Sequence, residues 1–142
     1  MRIHDILSAK GSDVISIDPQ ASVRDLIALL REHNLGAVVV SSDGKTIAGI
    51  VSERDVIRRL VDDPDILSAD VSAIMSTDVH TTSRDDSVES VMTAMTEQRV
   101  RHIPVVSRDG SLTGIVSIGD LVKWQIAQLQ FERDQLEGYV SG

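Results

Sequence analysis

Two short phrases of this sequence set a hydroxyl and a carboxylate three residues apart at the end of an apolar run: GIVSERD at 49–55 and GIVSIGD at 114–120. A serine that ends a strand and opens a helix gathers unpaired backbone N–H groups, the positive end of the helix dipole and a hydroxyl at one spot. Anions bind at such spots. The aspartate three residues on, Asp55 or Asp120, stands on the same edge, and its carboxylate can accept two hydrogen bonds from vicinal hydroxyls such as those of a ribose. The same Ser-x-x-Asp spacing is also a helix capping box, in which each side chain satisfies the other residue's backbone N–H. It recurs at Ser22/Asp25 and Ser83/Asp86, so spacing alone does not separate recognition from capping. Only Ser52/Asp55 and Ser117/Asp120 follow Gly-Ile-Val.

The two phrases belong to a longer repeat. Sliding the chain against itself by 65 residues pairs 13–60 with 78–125 without a gap and gives 12 identities over 48 positions, where chance composition gives about 3. Each copy carries the same signals in the same order. A short strand (Val14–Ile17; Val79–Thr82) precedes an amphipathic helix (Val23–His33; Val88–Gln98) and a second strand (Ala37–Val40; Ile103–Val106). An Asp-Gly turn, a third strand (Ile47–Val51; Leu112–Val116) and another helix follow. The expected architecture is therefore an α/β (α+β) chain of two β-α-β-β-α copies. Residues 1–62 form the first copy with its leading helix, 63–69 a linker and 70–142 the second copy with a helical extension. Pro64 and the surrounding aspartates mark the linker as solvated; Asp62, Asp63 and Asp65 are weighed as a magnesium cluster and read as solvation.

Composition narrows the function classes. A hydrophobic content of 42% in 142 residues builds a packed core, and aromatics at 2% leave that core to Val, Ile, Leu, Ala and Met. The chain has no cysteine, which removes disulfides, thiolate catalysis and zinc–thiolate sites and makes the cytoplasm the expected compartment. A net charge of −8 opposes nucleic acid and anionic membranes, and no apolar run approaches a membrane span. No nucleophile elbow, phosphate-cradling Walker loop, HExxH or GxGxxG is present, so no enzyme activity is expected. His4 and His33 have no second ligand at metal spacing, and no metal or obligatory cofactor is expected.

The duplicated GIVSxxD, the RHIPVV stretch at 101–106, the opening IHDILSAKG and the IMSTDVHTT before the second copy together resemble a tandem pair of cystathionine β-synthase-type (CBS) domains, a Bateman module, of the stand-alone bacterial kind. The resemblance covers nearly the whole chain. It implies two repeats packed about a pseudo-twofold axis, with two clefts that take an adenine nucleotide (AMP, ADP, ATP or NAD type) as a regulatory ligand, and signalling through an unidentified regulated protein. Carried over position by position, one cleft uses Ser52, Arg54 and Asp55 with Val79, His80, Arg101 and His102. The other uses Ser117 and Asp120 with Val14, Ile15, Gly36 and Ala37. The clefts are expected to be unequal, since Arg54, Arg101 and His102 in the first correspond to Gly119, Gly36 and Ala37 in the second. The order Arg101-His102 is reversed from that of relatives, which leaves the individual roles of these two residues open.

The last helix continues past the second copy, with Val122, Ile126, Leu129 and Leu136 at three- and four-residue steps, Trp124, Ala127 and Phe131 on an adjacent stripe, and an expected stop at Gly138. Its apolar face exceeds what one small domain covers, and a homodimer is the expected assembly, as the resemblance also implies. The alternative to a nucleotide sensor is a structural or interaction protein that dimerises through CBS repeats whose clefts are vestigial.

Overall fold

The computed structural model describes residues 1–141. The first copy contains β1 (Ser16–Ile17), α2 (Val23–His33), β2 (Ala37–Val40), β3 (Gly49–Ser52) and α3 (Glu53–Leu60), preceded by α1 (Ile3–Lys10). The second contains α4 (Val88–Gln98), β4 (His102–Val106), β5 (Leu112–Ser117) and α5 (Ile118–Ser141). The helices α2 and α4 span the expected residues, because each has a serine cap and a left-handed stop. Ser22 accepts the Asp25 N–H at 3.0 Å and Ser87 the Ser90 N–H at 3.1 Å. Asn34 and Arg99, at equivalent places in the two copies, end these helices with φ near 52° and 56°.

In the first copy β1 pairs parallel with β2, and β2 antiparallel with β3. In the second, β4 and β5 form an antiparallel pair, and the strand expected over Val79–Thr82 shrinks to a single parallel bridge between Thr82 and Val105. The cause is Pro104, which occupies the place of Val39 and brings no N–H to the ladder at that position. Gly138 takes no left-handed conformation, and α5 runs past it to Ser141.

The two cores are built crosswise. Ile17, Val23, Leu26, Leu30, Val38, Val40, Val51 and Val56 of the first copy are joined by Ile66, Val71 and Ile74 from the segment leading into the second. Reciprocally, Ile3, Ile6 and Leu7 of α1 are buried with Val88, Val91, Met95, Ile103, Val105, Val116 and Leu121 of the second copy. Backbone bonds tie each leader down: Ile3 N–H donates to Asp86 O and His4 N–H to Arg84 O, both at 3.0 Å, while Val71 N–H donates to Ala21 O at 2.8 Å. The segment expected to be a solvated linker is thus partly an anchor. Ile66 is only 3% exposed in the first of two short 3-10 turns, Ile66–Ser68 and Val71–Ala73. Asp63 uses its carboxylate locally, accepting the Asp65 N–H at 3.0 Å.

Candidate functional site

Each Ser-x-x-Asp phrase sits where a strand turns directly into a helix. At the first, Asp55 Oδ2 accepts the Ser52 N–H at 2.8 Å and its hydroxyl at 3.0 Å, and Ser52 Oγ accepts the Asp55 N–H at 3.3 Å. At the second, Asp120 Oδ2 accepts the Ser117 N–H at 2.9 Å and Ser117 Oγ the Asp120 N–H at 3.1 Å. Both are therefore complete capping boxes. The boxes engage only Oδ2, so the second carboxylate oxygen of each aspartate accepts no hydrogen bond from the described residues. Capping holds the carboxylate still, and the free oxygen leaves it able to receive a ligand hydroxyl. The other two occurrences of the spacing do neither together: Ser22 is a simple helix cap, while Asp86 secures a loop through the Ser83 N–H and the Thr82 hydroxyl.

A cleft of about 330 Å³ opens in front of the first box, within the range of small-ligand pockets. Ser52, Arg54, Asp55, Val79, His80, Arg101 and His102 all line it. Arg58 and Arg99 line it as well, residues that the sequence reading did not single out. The signal for Arg58 was available, since it lies one turn after Arg54 on the same helix. Arg99 was hidden because its position at the end of α4 reads as a stop. A left-handed arginine at the cleft mouth is a conformation that glycine or asparagine takes at less cost.

Gly36 and Ala37, expected in the second cleft, line this first one. Strand register is the reason: Ala37 pairs with Ser52, and the Glu53 N–H donates to Gly36 O at 3.0 Å. The same register in the second copy sets His102 opposite Ser117, with the Ile118 N–H on Arg101 O at 2.8 Å. The two strand ends meet, so that a Cβ on Gly36 would lie 3.7 Å from His102 Cε1. His102 consequently borders both boxes. Burial, then the nearby Lys10 ammonium, hold its pKa below the usual histidine value despite the opposing pull of Asp120. The imidazole is thus neutral at pH 7, and the positive charge of the first cleft comes from Arg54, Arg58, Arg99 and Arg101 rather than from His102.

Val14 and Ile15, expected at the second box, are half-buried, and Ile15 packs against the first core. Lys10, at the end of α1, places its Nζ 2.5 Å from Asp120 Oδ2 and 2.9 Å from Ile115 O. Burial raises the Asp120 pKa, but the hydrogen bonds from Lys10 and the Ser117 N–H outweigh it and hold the carboxyl below its ordinary value. Asp55 has no cationic partner of this kind among the described residues.

Comparison with known proteins agrees with this geometry. The model of the CBS domain matches residues 3–62 and 71–127. The CBS domain-containing protein CBSX3, mitochondrial, of Arabidopsis thaliana is 32% identical over 99% of this chain and 72% of its own length. The crystal structure of the CBS-domain containing protein ATU1752 from Agrobacterium tumefaciens superposes with a TM-score of 0.83 at 35% identity, covering 88% of this chain and 99% of that one. The CBS domain pair of protein MJ0100, solved in complex with 5′-methylthioadenosine and S-adenosyl-L-methionine, shares the fold at a TM-score of 0.78 and 22% identity, over 90% of this chain and 98% of that one.

Proposed function

The chain belongs to the CBS-domain family, and from that premise we propose that it is a regulatory module that binds an adenine nucleotide of the AMP, ADP, ATP or NAD type between its two repeats and signals through a separate protein. The observation that carries this reading is the first cleft. There a rigid carboxylate with a free oxygen, a helix N-terminus and four arginines line one opening, beside Glu53 and Asp78. Asp55 takes the ribose hydroxyls, the strand ends face the base, and the arginines take the phosphates. That MJ0100 binds two adenosine compounds supports adenosine as the shared element. The second capping box, Ser117 and Asp120, would supply the corresponding half of a site, with Lys10 as its neighbouring cation. No bond-making step is assigned to either cleft.

Adenine nucleotides are expected to stabilise the protein, because a ligand that binds only the folded chain adds RT ln(1 + [L]/Kd), about 1.4 kcal/mol at ten times Kd. Thermal melts with a millimolar panel of AMP, ATP, NAD and adenosine check this. Polyphosphates should give the larger shifts at low salt, and a panel without any shift defeats the proposal in favour of vestigial clefts.

We further propose a homodimer. Ile57 and Leu60 on α3 are 64% and 46% exposed, and Val122, Ile126 and Leu129 on α5 are 40%, 51% and 55% exposed. A second copy of the same chain supplies an apolar cover for these helix faces. Light scattering coupled to size-exclusion chromatography should return twice the 15.4 kDa chain mass; a monomer at micromolar concentration rules the dimer out.

A further inference from the structure

Past the second copy the last helix runs on without cover. The CBS match ends at residue 127, yet α5 continues to Ser141, and every residue from Leu129 to Val140 is exposed. An isolated helix of that length is marginal in water, and helical stability in proteins comes mostly from packing an apolar face. Such a face is present. Val122, Ile126, Leu129, Arg133, Leu136 and Val140 recur at alternating steps of four and three residues, which keeps them within about 80° of one another on a helix that turns about 100° per residue. The five apolar members are between 40% and 83% exposed. A sustained mean step of 3.5 residues is the repeat of a two-stranded coiled coil rather than of a helix lying on a globular core.

We propose that the extension of α5 pairs with the same helix of a second copy as an antiparallel coiled coil, Ile126 of each helix meeting Leu136 of the other and Leu129 meeting Arg133. The inference rests on the reading of the chain as a homodimer and names the seam and its direction. Charge decides that direction. With the six seam residues in the core places of the heptad, Lys123, Gln130 and Glu137 flank them on one side and Gln125, Glu132 and Tyr139 on the other. In a parallel pair opposite flanks meet, so Glu132 faces the partner's Glu137 twice, Arg133 faces Arg133 in the core, and Lys123 meets no anion. In an antiparallel pair like flanks meet. Lys123 then faces the partner's Glu137 in two symmetric ion pairs, Gln130 meets Gln130, and each Arg133 shares a layer with Leu129 beside the partner's Glu132. The one like-charge contact, Glu132 on Glu132, lies between the two arginines. On its own helix Arg133 is held only by Asp134 at 3.4 Å and Glu137 at 4.0 Å, pairs whose side chains are all more than 60% exposed and exchange readily. A single polar residue in an otherwise apolar seam is a device that fixes register and orientation.

The chain has no cysteine, so single cysteines in the full chain report the pairing directly. Gln130→Cys should be joined to its own copy by a short bis-maleimide linker, because position 130 meets itself only in the antiparallel pair. Leu136→Cys should not, because there it lies opposite residue 126, whereas in a parallel pair it would meet itself. Sedimentation equilibrium gives the second readout, with circular dichroism to confirm folding. Lys123→Glu should raise the dimer dissociation constant about tenfold, since two exposed ion pairs become repulsions, and adding Glu137→Lys should restore it. Linkage at 136 instead of 130, or a double variant that dimerises no more tightly than Lys123→Glu, overturns the inference. A dimer that links at neither position and ignores the charge changes forms through another surface, so the inference falls while the homodimer stands. If the unmutated chain is monomeric, both fall together.

Discussion

Asp55→Ala is expected to weaken binding of an adenine ribonucleotide at the first cleft roughly 10- to 150-fold, the loss of a hydrogen bond to a charged group worth about 1.5–3 kcal/mol. The same substitution removes half of a capping box, since Asp55 Oδ2 accepts both the N–H and the hydroxyl of Ser52. A stability loss of about 0.5–2 kcal/mol should therefore accompany it. Two measurements separate the roles. A 2′-deoxy nucleotide, which lacks one of the two hydroxyls, should lose affinity for the unmutated chain and lose little further in Asp55→Ala. Unfolding curves of the same two proteins report the cap. If the Asp55→Ala chain is less stable but binds ribo and deoxy ligands as the unmutated chain does, the aspartate caps its helix and nothing more.

The other large effect concerns the crosswise cores. Leu7, in α1 at the start of the chain, is 2% exposed, and its Cδ1 would lie only 2.8 Å from a Cβ on Gly114, far along the sequence in β5. Leu7→Ala leaves a cavity between α1 and the second copy, and buried Leu→Ala changes cost about 2–5 kcal/mol. Urea unfolding measures the total. Hydrogen exchange gives the more discriminating result, because protection should fall chiefly in α4, β4 and β5 rather than in the first copy, which follows α1 in sequence. Loss of protection in α2 and β2 instead would place α1 on the wrong core.

The first cleft shows how local rules and long-range packing share the work. Ser52 and Asp55 were legible as an anion-and-hydroxyl site because a strand ending in serine three residues before aspartate forms its box from groups within one helical turn. The choice between capping and recognition was not legible. It turns on a carboxylate oxygen left over after capping and on the open space before it. Arg99 was not legible for a related reason: at a helix end its backbone role masks any other, and only the fold brings it to the same cleft as Arg54 and Arg101.

The sequence by itself determined the duplication, the extents of α2, β2 and α4, and the serine caps, all of which rest on hydrophobic period and hydrogen bonds spanning a few residues. It also carried the signal that weakens the second copy's first strand, since Pro104 lacks an N–H wherever it is placed. Tertiary structure alone decided which leader fills which core, which cleft receives Gly36 and Ala37, that His102 is neutral, and that Lys10 meets Asp120 across 110 residues. Those outcomes depend on strand register and on how two nearly equivalent apolar surfaces are exchanged. A 65-residue repeat makes the own-copy and crosswise pairings nearly indistinguishable in pattern. What separates them is the packing of particular side chains and the connection that leads α1 and Ile66–Ala73 to the far core.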